Sequence, residues 1–113
     1  MILNYKGEIN SMENNKVDNL LDIIGGMDIR HRLRLAIRMS DSCYTNLMYD
    51  KPKLYEYFDS KLKEIDEEYR TRVINFNKYK NVTYVMSKIM ELSSEEQNQV
   101  TLYVYNTNFV ELL

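Results

Sequence analysis

The most continuous helical pattern in the sequence is DKPKLYEYFDSKLKEIDEEYRTRVINFNKYK, residues 50–80. Its apolar side chains recur every three or four positions, at Leu54, Phe58, Leu62, Ile65, Tyr69, Val73 and Phe76. This spacing places them on one face of an α-helix, and the charged residues between them, including Asp66, are expected to face solvent. Proline is tolerated in a first helical turn, so Pro52 is compatible with one long amphipathic helix from about Asp50 to Lys80.

The length of this predicted helix bears on function. Its roughly 28 residues would extend about 42 Å at a rise of about 1.5 Å per residue. A compact domain of 113 residues would span only about 34 Å. The helix should therefore either elongate the bundle or protrude into an interface, and self-association through it is the simplest hypothesis. Tyr57 and Ile74 fall off its apolar face, so we select them as candidate protein-interface residues.

Two shorter helices are predicted before this segment. Residues 1–11 show no periodicity and are expected to form an N-terminal tail, disordered or docked, ahead of a single helical domain over 12–113. The Gly25-Gly26 pair should end the first helix. Asp28 is a favourable N-cap for a second helix, which we expect to end near Asp50 because proline disfavours helix at the residue before it.

Two further helices are predicted after residue 80. Asparagines near residues 77–81 favour a break, after which one helical face is formed by Val82, Val85, Ile89 and Leu92. Ser93 and Glu96 match a capping box at the start of a fifth helix. The segment 100–105 is also rich in strand-favouring residues, so a C-terminal strand is the main local alternative.

The chain as a whole is predicted to be all-α, a small elongated bundle of about five helices with one long central helix. Its 113 residues suit a single domain with one core, and the hydrophobic fraction of 44% is sufficient to fold it. One proline and three glycines are too few to supply the frequent turns of a sandwich or barrel.

Charge and composition limit the expected partners, cellular location and source of the protein. The formal net charge of -2 argues against a general electrostatic attraction to nucleic acid or anionic membranes. The single cysteine excludes an internal disulfide, and the sequence contains no secretory signal and no membrane-spanning apolar run. We therefore expect a cytoplasmic protein without a membrane partner. The abundance of Asn, Lys, Ile and Tyr suits a low-GC bacterium, its phage or another mobile element.

Candidate catalytic and metal-binding residues are scarce. His31 and Cys43 are the only histidine and cysteine. Their separation along one helix would be about 18 Å, which prevents them from forming a dyad within one chain. One histidine cannot build a multi-histidine zinc site, and no phosphate-binding glycine loop or calcium-loop spacing is present. We predict no catalytic residue, no bound metal and no cofactor, with a small enzyme as the third hypothesis.

The second predicted helix carries a basic edge. Arg30, Arg34 and Arg38 recur at every fourth residue, and His31 lies beside them. Clustered positive charges repel one another, so carboxylates of the first and third helices are the simplest intramolecular partners. We select these four residues as candidates for binding nucleic acid or an acidic protein partner.

The combined pattern favours a non-enzymatic interaction module. Ten tyrosines in 113 residues suit protein interfaces, because each ring combines a large contact area with a polar hydroxyl. The leading hypothesis is a regulator, adaptor or inhibitor that binds another protein, or itself as a homo-oligomer, through a helical surface. The alternative is a transcriptional regulator that binds nucleic acid through the arginine-rich second helix.

Overall fold

Six α-helices form the described part of the chain in this computed structural model. The structure describes the backbone of residues 8–43, 51–71 and 76–112, and the side chains of residues 16–43, 52–71 and 78–107. The helices are α1 (Glu8–Gly25), α2 (Ile29–Ser42), α3 (Lys51–Ile65), α4 (Glu67–Thr71), α5 (Lys80–Ile89) and α6 (Ser94–Leu112), with a short 3-10 helix at Phe76–Tyr79. No strand occurs among these residues, which confirms the all-α prediction.

The ends of α1 differ in how well the sequence predicts them. The helix begins at Glu8, inside the segment expected to be a tail, and residues 1–7 lie outside the described part of the chain. It ends at Gly25, as the glycine pair predicts. A methyl group at Gly25 would stand 3.2 Å from the hydroxyl oxygen of Tyr103, so the glycine allows α6 to pack closely against α1.

α2 lies between Asp28 and Cys43. The Asp28 carboxylate accepts a hydrogen bond from the backbone N–H two residues on at 2.8 Å, which confirms the predicted N-cap. The helix ends at Ser42, because Cys43 adopts an extended conformation. The prediction that α2 continues to Asp50 is therefore wrong, and residues 44–50 lie outside the described part of the chain.

The long central helix predicted over residues 50–80 is interrupted at Asp66. The Asp66 N–H donates to the carbonyl of Leu62 at 2.8 Å and thereby completes α3. Its carboxylate accepts hydrogen bonds from the backbone N–H groups of Glu68 and Tyr69 at 3.1 and 3.4 Å, the geometry of an N-cap on α4. The prediction of one continuous helix is wrong, because Asp66 ends one helix and caps the next.

The buried side of this segment changes register at the same point. Its first three predicted core residues are buried: Leu54, Phe58 and Leu62. Ile65 is 44% exposed, whereas Asp66 is 2% exposed, which is the reverse of their expected positions. Burial resumes as predicted at Tyr69. The side chains of Val73 and Phe76 lie outside the described part of the chain.

α5 and α6 agree with the predictions for the last third of the chain. The predicted core residues are buried: Val82, Val85, Ile89 and Leu92. The Glu96 N–H donates to the Ser93 hydroxyl at 3.2 Å, and the Ser93 N–H donates to the Glu96 carboxylate at 3.0 Å, which confirms the capping box. α6 continues to Leu112, so the C-terminal strand alternative is wrong.

α2 lies at the centre of the bundle. It packs against α3, α5 and α6, while α1 packs against α5 and α6. Four of its side chains have no exposed surface: Leu33, Leu35, Ala36 and Met39. The molecule measures 49 × 31 × 23 Å, so the bundle is elongated even though no single helix sets its length.

Candidate functional site

The predicted basic residues of α2 divide into one exposed ion pair and three contacts with other parts of the bundle. Arg30 binds Asp28 through two hydrogen bonds, with Nε and Nη2 each 3.0 Å from a carboxylate oxygen. These hydrogen bonds hold the pKa of Asp28 well below its usual range. Both side chains are exposed at the start of α2, so the pair acts locally at the helix cap.

The other three predicted residues lie along the side of α2 that faces the 3-10 helix, α4 and α5. The His31 ring meets the Tyr79 ring edge-on, with ring centres 5.4 Å apart. The Arg34 guanidinium donates to the Tyr69 hydroxyl at 3.3 Å and lies 5.6 Å from the centre of that ring. Arg38 donates to a hydroxyl of α5 at 3.4 Å. In these contacts, rings and hydroxyl groups take the place of the carboxylates that the sequence led us to expect.

Tyr69 connects α2 to the acidic residues of α3. Its hydroxyl donates to Asp59 at 2.8 Å while it accepts the hydrogen bond from Arg34. Lys63 lies 2.8 Å from the second oxygen of Asp59. Burial and the nearby Asp59 carboxylate raise the pKa of Tyr69 to about 12. The hydroxyl therefore stays protonated at neutral pH and joins the two helices as both donor and acceptor.

Asp66, Lys78 and Tyr79 form a buried polar cluster, which we call the Asp66 junction. The Lys78 ammonium lies 2.8 Å from each oxygen of the Asp66 carboxylate, and the Tyr79 hydroxyl donates to Oδ2. Burial opposes ionisation of Asp66, but the hydrogen bonds from Lys78 and Tyr79 outweigh it and hold the pKa of the carboxyl below its usual range. Burial and the Asp66 carboxylate also raise the pKa of Tyr79. The junction ties the start of α4 to the 3-10 helix.

Sequence reasoning missed the Asp66 junction. The signal for it is an aspartate followed by two glutamates, at residues 66–68, directly after an apolar helical face. That order is typical of an N-cap and an acidic first turn. No local pattern indicates that Lys78 and Tyr79 return to the same carboxylate.

A groove lies between α1 and α5. Its α1 wall is formed by Lys16, Asn19, Leu20 and Ile23, and its α5 wall, with the turn that follows, by Tyr84, Lys88, Glu91 and Leu92. Its volume is about 240 Å³. The lining residues of α1 are spaced by three, one and three positions, so this wall is a single helical face. On the other wall Tyr84 and Lys88 lie one turn apart on α5, and Glu91 and Leu92 belong to the turn that follows.

Two large apolar side chains are exposed on opposite walls of this groove. Ile23 is 43% exposed and Tyr84 is 54% exposed. Leu20 and Leu92 are buried beside them, so apolar surface runs without interruption from the core to the solvent. Sequence reasoning missed this surface, because Tyr84 lies between the predicted core positions of α5 and only the packing of α1 against α5 brings Ile23 to the same groove.

Lysines from both helices flank these exposed apolar side chains. The Lys88 ammonium lies 5.7 Å from the centre of the Tyr84 ring, and Lys16 stands on the α1 wall. Neither lysine forms an ion pair with a described residue. Lys61, Lys63 and Lys78, by contrast, each form an ion pair with a carboxylate. Glu91 is the single carboxylate among the described lining residues.

Of the two predicted interface residues, Tyr57 does not line this groove. Tyr57 is half-buried and packs against the core, with its ring edge-on to Phe58 at a centre-to-centre distance of 5.5 Å. Ile74 lies outside the described part of the chain. An interface role for Tyr57 and Ile74 stays a prediction.

The remaining candidate residues, His31 and Cys43, both lie in packed parts of the bundle. Cys43 is buried at the end of α2, and the His31 ring packs on Tyr79. Among the described residues, no group of three or more His, Cys, Asp or Glu side chains is arranged to hold a metal ion. In the same ranges, no helix combines the length and apolar character needed to cross a membrane.

Comparisons with protein-family models, curated proteins and solved structures found no match to this chain. The α1–α5 groove is therefore selected on its geometry, exposure and charge. It is the described surface where large exposed apolar side chains from two helices meet in one concavity.

Proposed function

We propose that this protein is a non-enzymatic interaction module that binds a partner protein through the α1–α5 groove. The observation that carries the proposal is the exposure of Ile23 and Tyr84 on opposite walls of one groove. Exposed apolar surface with a polar rim is typical of protein interaction sites, and aromatic residues are enriched at them. Such a module would act as a regulator, adaptor or inhibitor by covering a surface of its partner.

The size of the groove favours protein side chains over a small-molecule ligand. Its volume of about 240 Å³ lies below the range of about 300–1,000 Å³ that is usual for small-molecule sites. Apolar side chains of a partner would contact Ile23 and Tyr84 and exclude water from between them. These two residues are the proposed anchors of the interface.

The nucleic-acid alternative has weaker support. Arg34 and Arg38 make hydrogen bonds within the bundle, and Arg30 is paired with Asp28. Binding phosphates through these arginines would require each of them to exchange an existing contact. Nucleic-acid binding by the second helix stays a prediction, for which steep weakening by added salt is the test.

Affinity capture from cells that express the protein, followed by quantitative mass spectrometry, tests the proposal. Ile23→Asp and Tyr84→Ala should each reduce recovery of a specific partner at least about tenfold, because truncating an interface anchor removes much of the binding energy. Ile65→Asp is the matched control, since Ile65 is 44% exposed, against 43% for Ile23, but lies at the end of α3.

Partner recovery is compared only among variants that keep the wild-type melting temperature and helical circular dichroism. Equal recovery of every partner by the wild type and the Ile23→Asp variant would contradict the groove proposal. Light scattering tests the hypothesis that the protein forms a homo-oligomer. A dimer that is lost in Ile23→Asp but kept in Ile65→Asp would identify a second copy of the chain as the partner.

A further inference from the structure

We infer that the partner segment bound by the α1–α5 groove is an amphipathic helix with acidic residues beside its apolar face. The inference rests on the proposed function and specifies the chemistry of the groove's occupant. Three features support it: the charges on the two walls, a matching arrangement elsewhere in the same chain, and the helical form of the walls.

The charges on the walls favour an acidic partner. Lys16 and Lys88 stand on opposite walls, while Glu91 supplies the single opposing charge among the described lining residues. The groove is therefore locally positive, although the whole chain carries a formal net charge of -2. Carboxylates on both sides of a partner's apolar face would complement the two lysines.

The Asp66 junction contains the arrangement that the groove lacks. At the junction the Lys78 ammonium lies 5.9 Å from the centre of the Tyr79 ring, and both side chains bind the Asp66 carboxylate. At the groove Lys88 lies 5.7 Å from the centre of the Tyr84 ring. A partner carboxylate beside Lys88 would complete the same set of groups, with an apolar neighbour against the ring.

The walls also favour a helical occupant. The α1 wall is one helical face, and Tyr84 and Lys88 lie one turn apart on α5 in the other wall. A groove between two packed helices accepts the ridges of a third helix. A helix that enters a groove contacts it through apolar residues three and four positions apart. The expected segment therefore has apolar residues at that spacing and Asp or Glu at the positions flanking them.

Selection from a displayed peptide library tests the inference on the full chain. The library consists of helix-forming peptides with leucines at helical spacing and random residues at the flanking positions. Wild-type protein should enrich peptides with Asp and Glu at those positions. The affinity of a synthetic enriched peptide should fall about tenfold with Lys16→Glu and Lys88→Glu combined.

A matched variant controls for the change in net charge. Lys53→Glu combined with Lys61→Glu changes the total charge equally, but both substitutions lie on α3, outside the groove lining. This variant should bind the enriched peptide within about twofold of the wild-type affinity. Placing a proline at the centre of the peptide should abolish binding, because the helix is broken.

The possible results separate the inference from the proposed function. Enriched peptides with neutral or basic flanks that still lose binding to Ile23→Asp would overturn the acidic partner and leave the groove proposal standing. Equal binding of the proline-containing peptide would overturn the helical partner. Failure to enrich any peptide whose binding depends on Ile23 would overturn both the inference and the proposed function.

Discussion

The Asp66 junction and the α1–α5 groove both place a lysine ammonium near a tyrosine ring, but only the junction contains the carboxylate that binds both groups. At the junction Asp66 is 2% exposed and is satisfied by Lys78, Tyr79 and the first turn of α4. At the groove Tyr84 is 54% exposed and Lys88 has no carboxylate partner among the described residues.

The difference indicates that a lysine and a tyrosine stabilise the fold at the junction, whereas the same types of residue are left without a carboxylate among the described residues at the groove. A buried charge is tolerated only when the chain supplies its partners, so the junction is a structural element. The groove leaves apolar and positive surface in contact with solvent, where a partner can remove it from water. Substitutions at the two regions should therefore differ in their effects on folding.

The largest expected effect on folding comes from Asp66→Ala. The substitution removes the N-cap of α4 and leaves Lys78 and Tyr79 without their shared acceptor. We expect the free energy of unfolding to fall by about 2–4 kcal/mol. Urea denaturation followed by far-ultraviolet circular dichroism measures it. The neighbouring Glu67→Ala is the control, because its side chain is 80% exposed and should change stability by less than about 0.5 kcal/mol. Equal losses for the two variants would disprove the structural role of the junction.

A smaller difference in the free energy of unfolding is expected between two tyrosine-to-phenylalanine substitutions. Tyr79→Phe removes a buried hydroxyl that donates to a charged acceptor and should cost about 1.5–2 kcal/mol of unfolding free energy. Tyr84→Phe removes an exposed hydroxyl and should stay within about 0.5 kcal/mol of the wild type. The same urea titrations measure both. A larger loss for Tyr84→Phe than for Tyr79→Phe would reverse the roles assigned to the two regions.

The smallest expected effect is a change in acid stability. The folded protein holds the pKa of Asp66 below its usual value of 3.8, so ionised Asp66 stabilises the fold above that value. This contribution is lost as the pH falls through the lower pKa of the folded state. The stability advantage of wild type over Asp66→Asn should therefore narrow as the pH is lowered below 3.8. Melting temperatures across a pH series measure the difference, and parallel curves would contradict the assignment.

Local signals in the sequence predicted much of the fold. The caps at Asp28 and Ser93, the stop at Gly25 and the buried face of α5 all depend on residues within a few positions of one another. The interruption at Asp66 had a local signal too. Seven regularly spaced apolar residues outweighed it in the interpretation of the segment, and the long helix was predicted in its place.

The sequence by itself determined the all-α class, most of the helix starts and the core face of α5, because capping and periodicity act over three or four residues. Only the tertiary structure decided that Asp66 is buried, since its burial requires Lys78 and Tyr79 to reach it from more than ten residues away. The groove was decided in the same way. Ile23 and Tyr84 become one surface only when α1 and α5 pack side by side, and no pattern within either helix contains that contact.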